Sequence, residues 1–364
     1  MNTSKVADIL ERVCIANIPE IADLRFLLSL EKESDKRSLF EFADAVRKKY
    51  VGDGILLRGI VEFANYCDNG CLYCGLNKDN NGISRYRLDE FEIYDCISHI
   101  YADGIRTVVL QSGEQDDLDA VSLKELIEKI KSDFDIAVTL SVGEADREDY
   151  KLWKSAGADR YLLKIECSDK DVYESMHPGM SFENRVRCLR DLKELGYQTG
   201  SGCIVGLEGQ TVDTLAGDIL FFAEHQLDMI GIGPFIPHKA TSLRNAQQGT
   251  LDMVLKTIAV TRIVTKDTHL PATTATGSIG KGDGRIEALK AGANVLMPNY
   301  TPLEYKKLYE IYPGKRCVSE PAGACAGCME NMAAALGRFI DYSVGHSLKM
   351  GPAAGAEYPL SNKG

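Results

Sequence analysis

The chain has 364 residues, a length that suits either two ordinary domains or one α/β barrel with extensions. A formal net charge of −11 argues against nucleic acid or an anionic membrane surface as the main partner, and no apolar run approaches the roughly 18 residues that span a bilayer. The N-terminus shows no apolar signal segment, and an odd number of cysteines, 11, favours metal ligands and free thiols over disulfides, so we expect a cytoplasmic protein.

Residues 1–50 carry apolar side chains at helical spacing, in three stripes that begin near Val6, Leu24 and Phe40. We predict that this region forms a helical cap on the core that follows. The predicted division into domains is then the cap over 1–50, a barrel over 51–300 and a C-terminal extension over 301–364.

From residue 55 onward, short apolar runs alternate with amphipathic stretches, which predicts strands alternating with helices. The runs are 55–63, 105–111, 136–142, 159–165, 198–206, 228–234, 270–275 and 293–298. The predicted helices are Leu88–Ala102, Leu123–Ser132, Glu148–Ala156, Phe182–Leu195, Val212–His225, Thr250–Thr265 and Arg285–Ala291. Eight strands predict a TIM-type (β/α)8 barrel, with an open doubly wound sheet as the competing architecture. In a barrel, the active site lies at the C-terminal ends of the strands.

The first predicted strand leads into a loop with three cysteines in eight residues, Cys67-Asp-Asn-Gly-Cys71-Leu-Tyr-Cys74. Four thiolates close a 4Fe-4S cluster, so three leave one iron open for chemistry. A zinc site usually takes four ligands in separated C-x2-C pairs, and the nearest further cysteine is Cys96, outside the loop. We therefore predict a catalytic cluster on Cys67, Cys71 and Cys74, with a zinc knuckle or three incidental buried thiols as the alternatives. The C-x3-C-x2-C spacing, with Tyr73 before the third cysteine, resembles the radical S-adenosylmethionine (SAM) enzymes, whose open iron binds the amino and carboxylate groups of SAM.

The second predicted strand ends in Gly113-Glu114, where the glycine lets the backbone approach a ligand and the acid places a carboxylate beside it. A plain turn is the alternative. On the third strand, Thr139 and Ser141 are two residues apart, so both hydroxyl groups point to one side. We predict that these four residues lie at the SAM site.

Lys164 and Glu166 share one face at the end of the fourth strand, where they offer a cation and an anion to the two ends of the methionine part of SAM. A purely structural ion pair is the alternative, but removing both charges from water usually costs more than their pairing returns. Arg185, at the start of the next helix, is suited to a two-pronged bond with a carboxylate; a solvated surface arginine is equally compatible with the sequence.

The later strand ends supply further candidates for the cavity. The glycine-rich fifth strand places Ile204 and Val205 where a flat adenine ring can pack. Four residues at the ends of the seventh and eighth strands are expected to line the substrate cavity, with Met297 also a candidate cofactor contact: Thr273, Thr274, Met297 and Asn299.

A second group of three cysteines with C-x7-C-x2-C spacing follows the predicted barrel: Cys317, Cys325 and Cys328. We predict that they hold an accessory iron-sulfur cluster. The alternative is that the two cysteine groups form parts of one zinc site.

Together these motifs resemble the HydE family of FeFe-hydrogenase maturases, from about Tyr50 to Cys328. The residues that carry the likeness are Cys67-x3-Cys71-x2-Cys74-Gly-Leu, Gln111-Ser-Gly-Glu114, Thr139-Leu-Ser-Val-Gly-Glu144, Ala158-Asp-Arg-Tyr-Leu-Leu163, Ser181-Phe-Glu-Asn-Arg185, Ile230-Gly-Ile-Gly-Pro-Phe-Ile-Pro-His238, Pro271-Ala-Thr-Thr-Ala275 and Gly292-Ala-Asn-Val-Leu-Met-Pro-Asn299. Methylornithine synthase and, more distantly, biotin synthase resemble the same barrel.

The resemblance implies that a 5′-deoxyadenosyl radical made from SAM attacks a sulfur-bearing organometallic iron precursor delivered by the maturase HydG, during assembly of the hydrogenase H-cluster. It implies HydG and HydF as partners, and a flavodoxin or ferredoxin as reductant. It also implies site roles for named residues: the catalytic cluster on Cys67, Cys71 and Cys74, SAM contacts on Glu166 and Arg185 with Thr139 and Ser141 nearby, and the accessory cluster on Cys317, Cys325 and Cys328.

One stretch departs from the family pattern, which reads Arg-His-Glu-Thr where this chain has Lys164-Ile-Glu-Cys167. Lysine cannot form the two-pronged bond of arginine. A HydE-like paralogue acting on another amino-acid- or thiol-derived substrate is therefore the alternative function, with methylornithine synthase-like or biotin synthase-like chemistry; the C-terminal cysteines argue against the former. A non-enzymatic metal scaffold leaves the polar residues at several strand ends unexplained.

Overall fold

The computed structural model describes residues 3–321 and 326–349. Its helices are α1 (Thr3–Ile15), α2 (Ile21–Leu28), α3 (Glu33–Val51), α4 (Glu90–Ala102), α5 (Ala120–Asp133), α6 (Arg147–Ser155), α7 (Lys170–Met176), α8 (Phe182–Glu194), α9 (Val212–Glu224), α10 (Leu251–Thr265), α11 (Thr274–Gly277), α12 (Gly284–Lys290), α13 (Leu303–Lys306) and α14 (Ala326–Ala335). Its strands are β1 (Gly54–Leu57), β2 (Gly59–Ala64), β3 (Thr107–Ser112), β4 (Ala137–Ser141), β5 (Arg160–Leu162), β6 (Gln198–Val205), β7 (Met229–Pro234), β8 (Val295–Leu296) and β9 (Phe339–Asp341). Within the described ranges, no helix is both long enough and apolar enough to cross a membrane.

Six strands form one parallel sheet in the order β2-β3-β4-β5-β6-β7, with helices in the connections. Isolated parallel bridges continue this sheet through 269–272 and 295–299 and lead back to β2: Met229 with His269, Ile232 with Ala272, Pro271 with Val295, and Asn299 with Ile60. The alternation of strands and helices around this ring is the TIM-barrel-like α/β fold that the sequence predicted. All six strand ends therefore meet at one face of the molecule.

The predicted first, seventh and eighth strands differ from the structure. The run 55–63 is split at Arg58: β1 joins a second sheet in the order β8-β1-β9, whereas β2 pairs with β3. The run 270–275 makes only isolated bridges, because the Thr273 hydroxyl caps α11 and starts a helix inside the run. The eighth strand is two residues long, and Pro298, which has no N–H to donate, follows soon after it.

The N-terminal helices pack on the outside of the ring rather than apart from it. α3 contacts α10 and α12, and α2 contacts α9 and α10. One continuous hydrophobic cluster contains Val6, Leu24 and Leu39 together with buried strand residues such as Leu140. The division of the chain into domains 1–50, 51–300 and 301–364 stays a prediction. The interpretation of residues 1–50 as a cap stays a prediction as well.

Candidate active site

A cavity of about 380 Å³ lies at the C-terminal ends of the parallel strands. Its wall contains residues from the cysteine loop, from β2 to β7 and their following loops, and from 311–315. Eight of the predicted site residues line it: Cys71, Cys74, Glu114, Ser141, Lys164, Glu166, Arg185 and Met297. Thr273 and Thr274 line it as well. The structure thus brings candidates from distant parts of the sequence to one site.

The cysteine loop is bound to the rest of the chain through its backbone. Three of its N–H groups donate to carbonyl oxygens on other segments: Asp68 to Glu114 (2.8 Å), Leu72 to Met176 (3.0 Å) and Gly75 to Ile311 (2.9 Å). These bonds tie the loop to the end of β3, to the end of α7 and to the segment after α13. The loop is therefore held in place by three separate parts of the fold.

Gly113 allows the cysteine loop to approach the end of β3. A Cβ atom at this position would lie 2.1 Å from the Tyr66 carbonyl oxygen and 2.8 Å from the Cys67 Cβ. Since such distances do not occur between real side-chain and backbone atoms, only glycine fits here without moving the loop. Gly113 faces the loop, and it is not among the residues that line the cavity.

The three loop thiols fit an iron-sulfur cluster. All three are half-buried, and Cys71 and Cys74 line the cavity whereas Cys67 does not. Burial raises the pKa of Cys67 and of Cys71, and raises the pKa of Cys74 to about 12, so these thiols give up their protons readily only to a cationic partner. Among the described residues, no three His, Cys, Asp or Glu side chains are placed to hold one metal ion.

Lys164 and Glu166 form an ion pair in the cavity wall, with 2.8 Å between Lys164 Nζ and Glu166 Oε2. Glu166 has a φ of 60°, in the left-handed region that side chains other than glycine rarely adopt. Two backbone bonds to β6 hold it there, from the Glu166 N–H to Gly202 O (3.0 Å) and from the Ile204 N–H to Glu166 O (3.0 Å). A non-glycine residue in this conformation is typical of functional sites, because the surrounding structure must supply the free energy that the strain costs.

Ile165, between these two residues, points away from the cavity. It is fully buried in the main hydrophobic cluster. Of the three positions that depart from the HydE pattern, Lys164, Ile165 and Cys167, only Lys164 lines the cavity. The Ile165 side chain packs in the core and does not contribute to the polarity of the cavity.

Arg185 lies in a buried network of charges, not on the solvated surface. Its side chain is 9% exposed, and its Nε lies 2.8 Å from Glu144 Oε1 and 3.1 Å from the Tyr173 hydroxyl, while its Nη2 lies 3.7 Å from Glu114 Oε2. The Ser181 hydroxyl caps α8 and sets Arg185 in the first turn of that helix. Burial alone would lower the pKa of Arg185, but the acidic groups around it raise that pKa above its usual value. Arg185 therefore stays cationic beside the cavity.

Glu144 follows Gly143 after β4, just as Glu114 follows Gly113 after β3. Burial raises the pKa of its carboxyl group, and the charge of Arg185 opposes that rise. Its backbone N–H donates to Glu114 Oε2 at 2.8 Å, so the two strand endings are joined. A Cβ at Gly143 would lie 2.2 Å from Glu114 Cγ, and the φ of 92° there also requires glycine.

The predicted pairs on β4 and β6 divide between the cavity and the core. Ser141 lines the cavity, whereas Thr139 is 1% exposed and its Oγ1 has no hydrogen-bond partner among the described residues. Ile204 lines the cavity, whereas Val205 lines a second cavity of about 570 Å³ beside α9 and α10. Thr139 and Ser141 share one face of β4, but Thr139 is buried farther from the strand end, whereas the adjacent Ile204 and Val205 face opposite sides of β6.

Several cavity residues were not predicted from the sequence. Glu62 and Lys315 form a buried ion pair in the wall, and Asn299 Nδ2 donates to the second oxygen of Glu62 at 2.8 Å. His177 also lines the cavity. A charged residue inside the apolar run 55–63 is a signal that could have identified Glu62, whereas nothing in the local pattern marks Lys315 or His177.

The second cysteine group is only partly described. Cys317 is half-buried with a φ of 60°, Cys328 is exposed, and Cys325 lies outside the described residues. Cys317 and Cys328 both lie close enough to Arg285 to affect its pKa, which burial lowers and the nearby anions raise overall. No disulfide joins any of the cysteines in the described part of the chain.

Comparison with known proteins agrees with this geometry. Residues 61–222 match the model of the radical SAM superfamily. The FeFe hydrogenase maturase subunit HydE of Thermotoga maritima is 48% identical over 315 residues, which cover 86% of this chain and 90% of that protein.

Two solved structures extend the comparison. The crystal structure of methylornithine synthase (PylB) is 25% identical, has a TM-score of 0.78, and the match covers 92% of this chain and 97% of that one. The crystal structure of HydG, a maturase of the FeFe-hydrogenase, has a TM-score of 0.80 at 19% identity, with 94% of this chain and 77% of that one covered, and its likeness shows the fold alone. Membership of the radical SAM superfamily implies a 4Fe-4S cluster and SAM. With a relative of this identity across nearly its whole length, the chain belongs to the HydE family of radical SAM enzymes.

Proposed function

We propose that this protein cleaves SAM reductively to a 5′-deoxyadenosyl radical and uses that radical in FeFe-hydrogenase maturation, on a sulfur-bearing organometallic iron precursor. The observation that carries the proposal is that the cysteine loop, the Lys164–Glu166 ion pair and Arg185 meet at one cavity. The identity of 48% to HydE of Thermotoga maritima supports the choice of substrate.

In this proposal Cys67, Cys71 and Cys74 bind three irons of the cluster. Once bound, the cluster supplies an open iron for the amino and carboxylate groups of SAM and an electron that breaks the S–C5′ bond. Backbone hydrogen bonds to Glu114 after β3, to the end of α7 and to residue 311 hold the loop, and so its three thiols, in one place. A fixed set of ligands favours one orientation of the SAM that binds to it.

The charged residues orient SAM. Arg185 is cationic, buried and held by two acids and a tyrosine, so its guanidinium has one position in which to receive a carboxylate. Glu166 presents a carboxylate for an ammonium group, and Lys164 neutralises it when SAM is absent. Glu114, Ser141, Ile204 and Met297 complete the wall against which the rest of the cofactor lies.

We also propose the finer parts of the assignment. Cys317, Cys325 and Cys328 bind an accessory cluster, with Arg285 offsetting its negative charge. The partners are HydG, which supplies the precursor, and HydF, with a flavodoxin or ferredoxin as the electron donor. The location is the cytoplasm, where cysteines without disulfides and an open iron-sulfur cluster are maintained.

The test is a product analysis of the anaerobically reconstituted, reduced protein with SAM. We expect 5′-deoxyadenosine, and a yield or an adenosylated adduct that depends on the iron precursor made by HydG. No cleavage of SAM would overturn the whole proposal. Cleavage that is indifferent to the precursor would overturn the maturase substrate and leave the radical SAM chemistry intact.

A second candidate function rests on Lys164. This residue lines the cavity where the HydE pattern has arginine, so a HydE-like paralogue with another amino-acid- or thiol-derived substrate is the competing proposal. We expect Lys164→Arg to retain precursor-dependent product if the maturase assignment holds. Loss of product together with normal SAM cleavage would favour the paralogue.

A further inference from the structure

The aromatic residue of the cysteine loop is held by a histidine from another part of the chain. Tyr73, between Cys71 and Cys74, lines the cavity, and its hydroxyl lies 2.8 Å from His177 Nε2. The two rings meet edge to face, with 5.3 Å between their centroids. His177 is 2% exposed and follows directly after α7.

The other ring nitrogen of His177 fixes which atom carries the proton. Nδ1 lies 2.7 Å from the Tyr173 carbonyl oxygen, which can only accept a hydrogen bond. The proton of the neutral ring is therefore on Nδ1, and Nε2 accepts from the Tyr73 hydroxyl. Burial lowers the pKa of His177 to about 4, which keeps the ring neutral near pH 7.

The same histidine reaches Arg185 through Tyr173. The His177 and Tyr173 rings are stacked at 4.2 Å between centroids, and the Tyr173 hydroxyl accepts from Arg185 Nε at 3.1 Å. A backbone bond of 3.0 Å from Leu72 to Met176 runs beside these contacts. The cysteine loop and the guanidinium are thus joined through one short helix.

A second histidine, His225, makes the same local contacts at a helix end but lies away from the cavity. His225, after α9, also contacts the carbonyl oxygen four residues earlier (2.9 Å) and stacks on that residue, Phe221, at 3.9 Å. It does not line the cavity. Ring stacking on the residue four positions earlier and the bond to its carbonyl oxygen are therefore a local way to end a helix. His177 has two further contacts that His225 lacks: the hydrogen bond from Tyr73 and the link through Tyr173 to Arg185.

We propose that His177 is a positioning residue that holds the Tyr73 ring and the Arg185 guanidinium in one arrangement, so that SAM binds over the cluster in a single pose. The inference rests on the proposed function, since it takes SAM as the ligand between these two groups. It assigns to α7 the role of fixing the distance between the cysteine loop and the Arg185 guanidinium.

The test uses variants that remove one contact at a time. His177→Phe keeps a ring on Tyr173 and removes both hydrogen bonds, Tyr73→Phe removes only the hydroxyl, and His177→Gln restores an acceptor near the Nε2 position. His225→Phe is the matched control, because it makes the same change in the same local pattern away from the cavity. Each protein is reconstituted, and the affinity for SAM, the KM for SAM and kcat are measured beside the iron content and the thermal unfolding of the apoprotein.

We expect His177→Phe and Tyr73→Phe each to weaken SAM binding and raise KM about three- to tenfold, the effect of one lost hydrogen bond, with iron content unchanged. The double variant should be no worse than His177→Phe, because both changes remove the same bond. His177→Gln should recover part of the affinity, and His225→Phe should bind SAM as the wild type does.

The results separate the two proposals. If the wild type does not cleave SAM, the proposed function fails. If the wild type cleaves SAM and His177→Phe has the wild-type affinity, the positioning role is overturned, and a lower unfolding temperature without a change in affinity means that His177 only stabilises α7.

Discussion

The two cysteine groups of this protein occupy different surroundings. Cys67, Cys71 and Cys74 are half-buried in a loop that three other segments bind, and two of them face the cavity. Cys328 is exposed at the start of α14, and Cys317 follows a segment whose Ile311, Tyr312 and Lys315 line the cavity. Similar spacing in sequence therefore does not mean similar access to the reacting centre. We expect the first group to be necessary for chemistry and the second to affect mainly the wall of the cavity.

The largest expected effect is at the first group. Cys71→Ala removes a thiolate that lines the cavity, so the protein should lose its reducible 4Fe-4S centre and all cleavage of SAM. Loss of the cluster is measured by iron and sulfide content and by electron paramagnetic resonance, and loss of SAM cleavage by the yield of 5′-deoxyadenosine. Cys14→Ala, on α1, is the control and should keep both, whereas cleavage that survives in Cys71→Ala would refute the assignment of the first group.

Gly113→Ala tests how tightly the first loop must pack. The added methyl group would lie 2.1 Å from the Tyr66 carbonyl oxygen, so the loop must shift, and we expect the cluster content to fall several-fold. Gly282→Ala is the matched control, since a Cβ there meets no atom within 4 Å. Equal iron content in the two variants would show that the loop tolerates the shift.

Lys315→Met tests whether the ion pair with Glu62 holds the segment before Cys317 against the cavity wall. The change leaves Glu62 buried without its cation, so we expect a loss of about 3 kcal/mol in the free energy of unfolding. Chemical denaturation measures this, with the exposed Lys281→Met as the control. Adding Glu62→Gln should restore most of the loss. A single variant as stable as the wild type would mean that the pair contributes nothing to holding the segment.

The smallest effect on SAM cleavage is expected at Cys328→Ser. Because Cys328 is exposed and outside the cavity wall, this variant should lose the accessory iron and still cleave SAM within about twofold of the wild-type rate, the range expected for a surface change. Iron content and 5′-deoxyadenosine yield measure the two parts separately. A loss of cleavage as large as that of Cys71→Ala would remove the distinction between the groups.

The sequence predicted the main features of the fold and the site where a local pattern carried the information. The alternation of strands and helices, the cysteine spacing, and the polar residues at strand ends all follow from period and position, and the structure gathers eight of those residues at one cavity. The run 55–63 was predicted as one strand because apolar composition does not show that β1 and β2 pair with different neighbours.

The remaining site residues depend on contacts between distant parts of the chain. Lys315 pairs with Glu62 across 253 positions, and Tyr73 meets His177 across 104. Neither contact leaves a periodic pattern in the sequence. The side chain of Val205 likewise faces a different cavity from the predicted one, because the side to which a strand residue points is known only once the strand register is fixed.

The left-handed backbone at Glu166 has a consequence for how the protein keeps its cofactor. This conformation is maintained by two hydrogen bonds to β6, so any opening between Glu166 and β6 lets Glu166 relax and removes the proposed SAM contact. Loss of SAM and local fraying of this contact are then one event, and SAM that binds only the closed form must slow that fraying. Amide hydrogen exchange at Glu166 and Ile204 should therefore slow when SAM is added, well before any change in global stability is measured.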